Sequence, residues 1–88
     1  MEVRYLKKFS KDLDKITQSK DEVRILEVIK SVKAAQSIEE IPGIKKLAGF
    51  DDAFRIRSGN YRLGVFVEES TVLFARVAHR KDIYKMFP

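Results

Sequence analysis

The run Phe54-Arg55-Ile56-Arg57-Ser58-Gly59-Asn60-Tyr61-Arg62-Leu63 alternates apolar residues with cations on both sides of a Ser-Gly-Asn break. Alternation with period two belongs to a strand that packs one face and wets the other. Gly and Asn tolerate positive φ, so 58–60 reads as a hairpin loop. The spacing predicts one strand over Ala53 to Arg57 and a second over Tyr61 to Val67. Glu68-Glu69-Ser70 then turns the chain into a third strand, Thr71 to Ala78, so the second half is an antiparallel meander.

The first half has a different period. Glu2 to Leu6 is a short strand, with Val3 and Tyr5 on one face. Phe9, Leu13 and Ile16 recur at helical spacing, and Ser10 is the expected N-cap of that helix. Ser19-Lys20-Asp21-Glu22 fits a capping box, and Ile25, Val28, Ile29 and Val32 follow the apolar stripe of an amphipathic helix ending near Gln36. Pro42-Gly43 marks a connection, and Ile44 to Gly49 is a loop or short ordered segment anchored by Leu47. Residues 81–87 form a short helix or tail carrying Tyr84 and Phe87. The expected fold is α+β: a helical hairpin packed on one face of a small antiparallel sheet, in the order β-α-α-β-β-β with a C-terminal helical tail.

Eighty-eight residues allow one domain, 1–88, with one modest core. Any site must therefore sit on the sheet that holds the fold together. Without cysteine there is no disulfide or thiolate chemistry, and with a single histidine no zinc site is expected. No cofactor is called for. The N-terminal segment lacks the apolar run of a signal peptide, and no stretch approaches the ~20 apolar residues that span a bilayer. A soluble, cytoplasmic protein is the expectation.

The net charge of +5 is unevenly placed, +1 over residues 1–44 and +4 over 45–88. Five of the seven arginines (55, 57, 62, 76 and 80) lie in the second half. Strand parity sets Arg55 and Arg57 opposite the core residues Phe54 and Ile56, and Arg62 opposite Tyr61, Leu63, Val65 and Val67. Arg76 and Arg80 share one parity of the third strand, with Leu73, Ala75, Val77 and His79 on the other. The plainer reading of such a row is a solvated sheet face. Carboxylates are scarce within these strands, however, and like charges on neighbouring strands cost stability unless a ligand neutralises them. Guanidiniums on one face suit a phosphate-rich polymer. His79, beside Arg80 and near Tyr84, is a candidate for proton transfer, and Tyr84 could stack on a base or donate a proton. Lys45, Lys46, Lys81 and Lys85 are most simply solvated lysines that add to the positive field, as further candidate contacts to such a polymer. Asp51-Asp52 and Glu68-Glu69 show no metal-site or glycosidase pattern and read as solvated.

Three motifs in order, Lys46-Leu47-Ala48-Gly49, then Phe54 through Leu63, then Val77-Ala78-His79-Arg80-Lys81-Asp82-Ile83-Tyr84, resemble the RelE/ParE toxin superfamily, and more narrowly its RelE-type members. The resemblance implies the toxin of a type II toxin–antitoxin pair. It implies a metal-independent endoribonuclease that cuts messenger RNA in the ribosomal A site through attack of the substrate's own 2′-hydroxyl. It further implies an acidic, RelB-like antitoxin that lays an amphipathic helix or extended segment over the toxin, and no membrane partner. The family's basic pair falls on Arg55 and Arg57, its later arginines on Arg62 and Arg80, and its tyrosine on Tyr84. The chain departs from the best-known RelE pattern in carrying arginines, not lysines, at 55 and 57. Arginine keeps its proton, so either His79 joins the proton transfer or the ribosome and water supply it. The spacing from Arg80 to Tyr84 is also shorter than in that pattern. Two rivals share the fold: a ParE-like inhibitor of DNA gyrase without ribonuclease activity, and an inactive relative that only binds an antitoxin.

Overall fold

The computed structural model describes all residues, 1–88. Strand β1 (Glu2–Tyr5) leads into helices α1 (Lys7–Asp14) and α2 (Ser19–Ala34), then a single 3₁₀ turn at Ile38–Glu40. Strands β2 (Ile44–Lys46), β3 (Ala53–Ser58), β4 (Tyr61–Glu68) and β5 (Thr71–His79) follow, and helix α3 (Ile83–Met86) comes last. The five strands form one sheet in the order β1-β5-β4-β3-β2. No helix is long and apolar enough to cross a membrane.

The α+β class and the helical hairpin are as the periodicity requires. The sheet is antiparallel from β2 to β5, but β1 runs parallel to β5, with Val3 beside Val72 and Tyr5 beside Phe74, so the sheet is mixed. The helical hairpin carries the chain from β1 at one edge of the sheet to β2 at the other, and the meander β2 to β5 brings it back beside β1. Alternation alone carries no strand direction. The segment from Ile44, expected as a loop or short ordered stretch, opens with the short strand β2, which pairs Lys45 with Arg55.

The helix starts also differ. Helix α1 begins at Lys7 after Leu6, so Ser10 lies within the helix, and no side chain caps either helix. Ser19 is the first residue of α2 rather than its cap, which leaves the Ser19/Glu22 capping box unformed. Asp21 and Glu22 still lie in the first turn, where the helix dipole favours negative charge.

The larger core lies between the helical hairpin and one face of the sheet. Phe9, Ile25, Ile29 and Val32 meet Phe54, Ile56, Leu63, Val65, Phe74 and Val77 there. Adjacent strand residues point to opposite faces, so Ala53, Phe66, Ala75 and Ala78 belong to the other side. On that side they form a second, smaller cluster with Ile83 and Phe87. The hairpin thus covers one face and α3 part of the other.

A bulge between β4 and β5 changes the reading of β5. Gly64 pairs with Arg76 and Val65 with Phe74, which leaves Ala75 without a partner. Simple alternation therefore fails after Phe74. Arg76 does not join the other arginines: its Nε and Nη2 donate to the Asp12 carboxylate at 2.7 and 3.1 Å. Asp12 Oδ2 also accepts the Val77 backbone N–H at 3.1 Å. Strand β1 ends beside Phe74, so β5 has no outer neighbour beyond it. Asp12 supplies the missing acceptor and pins α1 to that edge.

Candidate active site on the sheet face under helix α3

Cross-strand pairing assembles the site. Arg57 lies directly opposite Arg62, and Lys45 directly opposite Arg55. Both pairs have the parity of Ala53 and Phe66, on the face that carries α3. Like charges directly opposite each other disfavour the sheet. The structure's one ion pair, Arg76–Asp12, leaves Arg55, Arg57, Arg62 and Arg80 without a carboxylate partner.

Each guanidinium is held differently. Arg62 Nη1 donates to the carbonyl oxygens of Gly59 and Tyr61, both at 2.9 Å, and so is tied to the β3–β4 turn. Gly59 takes φ +59° in that turn, and a Cβ there would meet the Arg24 guanidinium of α2 at 2.8 Å. Partial burial and then the charges of Arg57 and Arg80 lower the Arg62 pKa from its ordinary value, while Tyr84 opposes them. Arg62 therefore sits where added negative charge is welcome. Arg80 follows β5 and is exposed, and its backbone N–H donates to the Asn60 carbonyl at 2.8 Å, which brings it to the same turn. Arg57 is exposed, with its backbone N–H on the Gly43 carbonyl at 3.1 Å.

Arg55 has another task. Its Cζ lies 4.4 Å from the ring centroid of Tyr84, over the ring, and its Nε is buried without a hydrogen-bond partner. A guanidinium over a phenol ring is a cation–π pair. Donation toward the phenol from Arg55, and then its charge, draw the Tyr84 pKa below the ordinary 10.0, with smaller help from Arg62 and Lys45. Tyr84 itself is 70% exposed, so the ring is open to a ligand.

Arg55, Arg57, Arg62, Arg80, Tyr84 and Lys45 therefore share one surface. His79 does not. It pairs with Tyr61, on the parity of Leu63 and Val77, and meets the Tyr61 ring edge-on at 5.9 Å. Ala78, opposite Arg62, holds the place on the arginine face. The His79 Nδ1 accepts the Lys81 backbone N–H at 3.2 Å, within the turn that leads to α3. Proximity in sequence to Arg80 suggests a shared site, but adjacent residues of a strand face opposite ways. Lys46 has the parity opposite to Lys45, while Lys81 is exposed just before α3 and Lys85 is exposed within it.

Two uncharged residues meet on the same face beside Arg55. Phe87 packs directly on Gly64, where a Cβ would lie 2.4 Å from the ring's Cγ. Gly64 interrupts an otherwise apolar strand, and a glycine in a strand interior is a signal of close approach by another group.

A family model described as the ParE toxin of a type II toxin–antitoxin system, parDE, matches residues 3–84. Toxin RelE3 of Methanocaldococcus jannaschii is 40% identical over 89 residues, spanning the whole of both chains. The RelB–RelE antitoxin–toxin complex from Methanococcus jannaschii contains a chain that superposes with a TM-score of 0.79 at 38% identity, covering 97% of this chain and 99% of that one. A chain of the RelBE2 toxin–antitoxin complex from Mycobacterium tuberculosis does so with a TM-score of 0.61 at 29% identity, covering 90% and 96%. Matched length, identity and fold agree: the chain belongs to the RelE/ParE superfamily of toxins of type II toxin–antitoxin systems.

Proposed function

We propose that this toxin is an endoribonuclease that cuts messenger RNA in the ribosomal A site, with no metal or other cofactor. One observation carries the reading: unpaired guanidiniums converge on a single face around a tyrosine whose phenol a stacked arginine makes easier to ionise. Phosphodiester cleavage by a neighbouring 2′-hydroxyl needs two things, removal of that hydroxyl's proton and stabilisation of charge gathering on the non-bridging oxygens. Tyr84, as phenolate, takes the 2′-hydroxyl proton. The 2′-oxygen bonds to phosphorus, the bond from phosphorus to the 5′-oxygen breaks, and that oxygen takes a proton from water. A 2′,3′-cyclic phosphate and a 5′-hydroxyl remain. Arg62 and Arg80 hold the non-bridging oxygens, Arg57 adds field, and Arg55 holds Tyr84.

This division of labour removes the difficulty raised by arginines at 55 and 57. Arginine keeps its proton, so Arg55 acts as the base's neighbour and the phenol supplies the base. His79, on the other face, takes no part. Lys45, Lys81 and Lys85 contact the RNA backbone, with Lys46 more distant. The partner that silences the toxin is an acidic antitoxin of the RelB kind, since solved relatives were crystallised with RelB and the uncovered face is cationic.

The family model is described as a ParE toxin, which is the observation behind a second reading, a ParE-like inhibitor of DNA gyrase without ribonuclease activity. A pure binder has no use for an activated phenol. Induced expression with mapping of transcript ends separates the two. New ends across coding sequence support the ribonuclease, while intact transcripts with DNA damage support the gyrase poison.

A further inference from the structure

We propose that the seat of Phe87 on Gly64 is the device that places Tyr84 under Arg55, making Phe87 and Gly64 positioning residues of the site. This inference rests on the ribonuclease reading for its effect on catalysis, and on geometry alone for the placement.

Helix α3 is a single turn, Ile83–Met86. A helix so short does not persist in water on its own propensity, so something else must hold it. Ile83 and Phe87, four residues apart, lie on the same side of that turn, and both are buried. Tyr84 lies between them in sequence and faces outward. The Phe87 N–H closes the turn onto the Ile83 carbonyl at 2.9 Å. The floor beneath consists of Ala53, Ala75 and Ala78, small enough to let the two side chains reach the sheet. Phe87 also meets Phe66, with ring centroids 5.0 Å apart.

The register connects this seat to the charged site. Gly64 is the direct cross-strand partner of Arg55. Beside Arg55, on the same face, β4 therefore presents a vacancy, and Phe87 fills it. The Phe87–Gly64 contact seats α3 on β4, directly beside Arg55 of β3, which sets the Tyr84 ring below the Arg55 guanidinium. The glycine is the steric condition for this arrangement: a Cβ at 2.4 Å from Cγ and 2.5 Å from Cδ2 would meet the base of the ring, which cannot yield without moving the tail.

The test uses the whole chain with its tyrosine ring carbons labelled for NMR, assigned with Tyr84→Phe. Two variants act from opposite sides. Gly64→Ala lifts Phe87 from its seat, and Phe87→Ala empties the seat without touching the strand, so one remains informative if the other fails to fold. In both, the Tyr84 titration should move up toward that of an ordinary tyrosine. The cleavage rate on programmed ribosomes should fall about 10-fold or more in kcat, with KM little changed. An unmoved Tyr84 titration in a folded variant overturns the inference, even if wild-type protein cleaves RNA as proposed. A moved titration in a protein that never cleaves RNA upholds the placement and overturns the ribonuclease reading instead.

Discussion

The Arg55 guanidinium lies over the ring of Tyr84, 4.4 Å from its centroid, and the two side chains act as one unit. One residue comes from a central strand and the other from a one-turn helix across 29 positions of sequence. The pairing lets a cation that keeps its own proton ease the ionisation of its neighbour.

A pH profile reports on this pair. A phenol serving as base works only when ionised, so the cleavage rate should rise with pH through the Tyr84 pKa. Arg55 lowers that pKa from 10.0, which puts the rise at lower pH than an ordinary tyrosine allows. Arg55→Gln should move the inflection upward. The loss of rate is then greatest below the inflection and shrinks above it, as single-turnover rates across pH will show.

Charge stabilisation makes a separate prediction. Arg62→Ala and Arg80→Ala should each slow cleavage about 10²–10³-fold, the usual cost of removing one donor aimed at a developing oxyanion. Their folding should be nearly unchanged, because neither has a carboxylate partner and the Arg62 bonds go only to turn carbonyls. Rates measured beside thermal unfolding separate the two effects.

His79→Ala gives the contrasting expectation. The imidazole packs on Tyr61 on the opposite face and accepts a bond from the Lys81 N–H. Its removal should change cleavage by less than the arginine variants and leave the Tyr84 inflection in place, read in the same pH series.

Asp12 tests the fold rather than the chemistry. It is 7% exposed and accepts from both Arg76 and the Val77 backbone. Asp12→Ala leaves a half-buried guanidinium and a strand-edge N–H without their acceptor, and should destabilise the protein by about 3–4 kcal/mol. Urea denaturation monitored by circular dichroism measures this.

Much of the architecture was legible in the chain because period is a local property. The 53–63 run shows its strands and turn through alternation, and the same alternation puts Arg55, Arg57 and Arg62 on one face. The parallel pairing of β1, the bulge at Ala75 and the Arg76–Asp12 pair depend on which distant segments meet, and no local period encodes that. Parity counted straight through β5 therefore puts Leu73 and Ala75 on the wrong face, Asp12 rather than parity draws Arg76 away from the other arginines, and closeness in sequence to Arg80 misleads for His79. Gly64 did carry a signal, a glycine in an apolar strand, but its meaning required the position of Phe87.

The central claim is that the face bearing Arg62, Arg80 and Tyr84 cleaves RNA. Its most direct measurement is the chemistry of the ends produced when purified protein meets ribosomes programmed with a defined message. Wild-type protein should produce A-site fragments ending in 2′,3′-cyclic phosphate with matching 5′-hydroxyl partners, and Tyr84→Phe should lower the yield about 10²-fold or more. Fragments with 3′-hydroxyl ends, or an undiminished yield from the Tyr84→Phe, Arg62→Ala double variant, would contradict it.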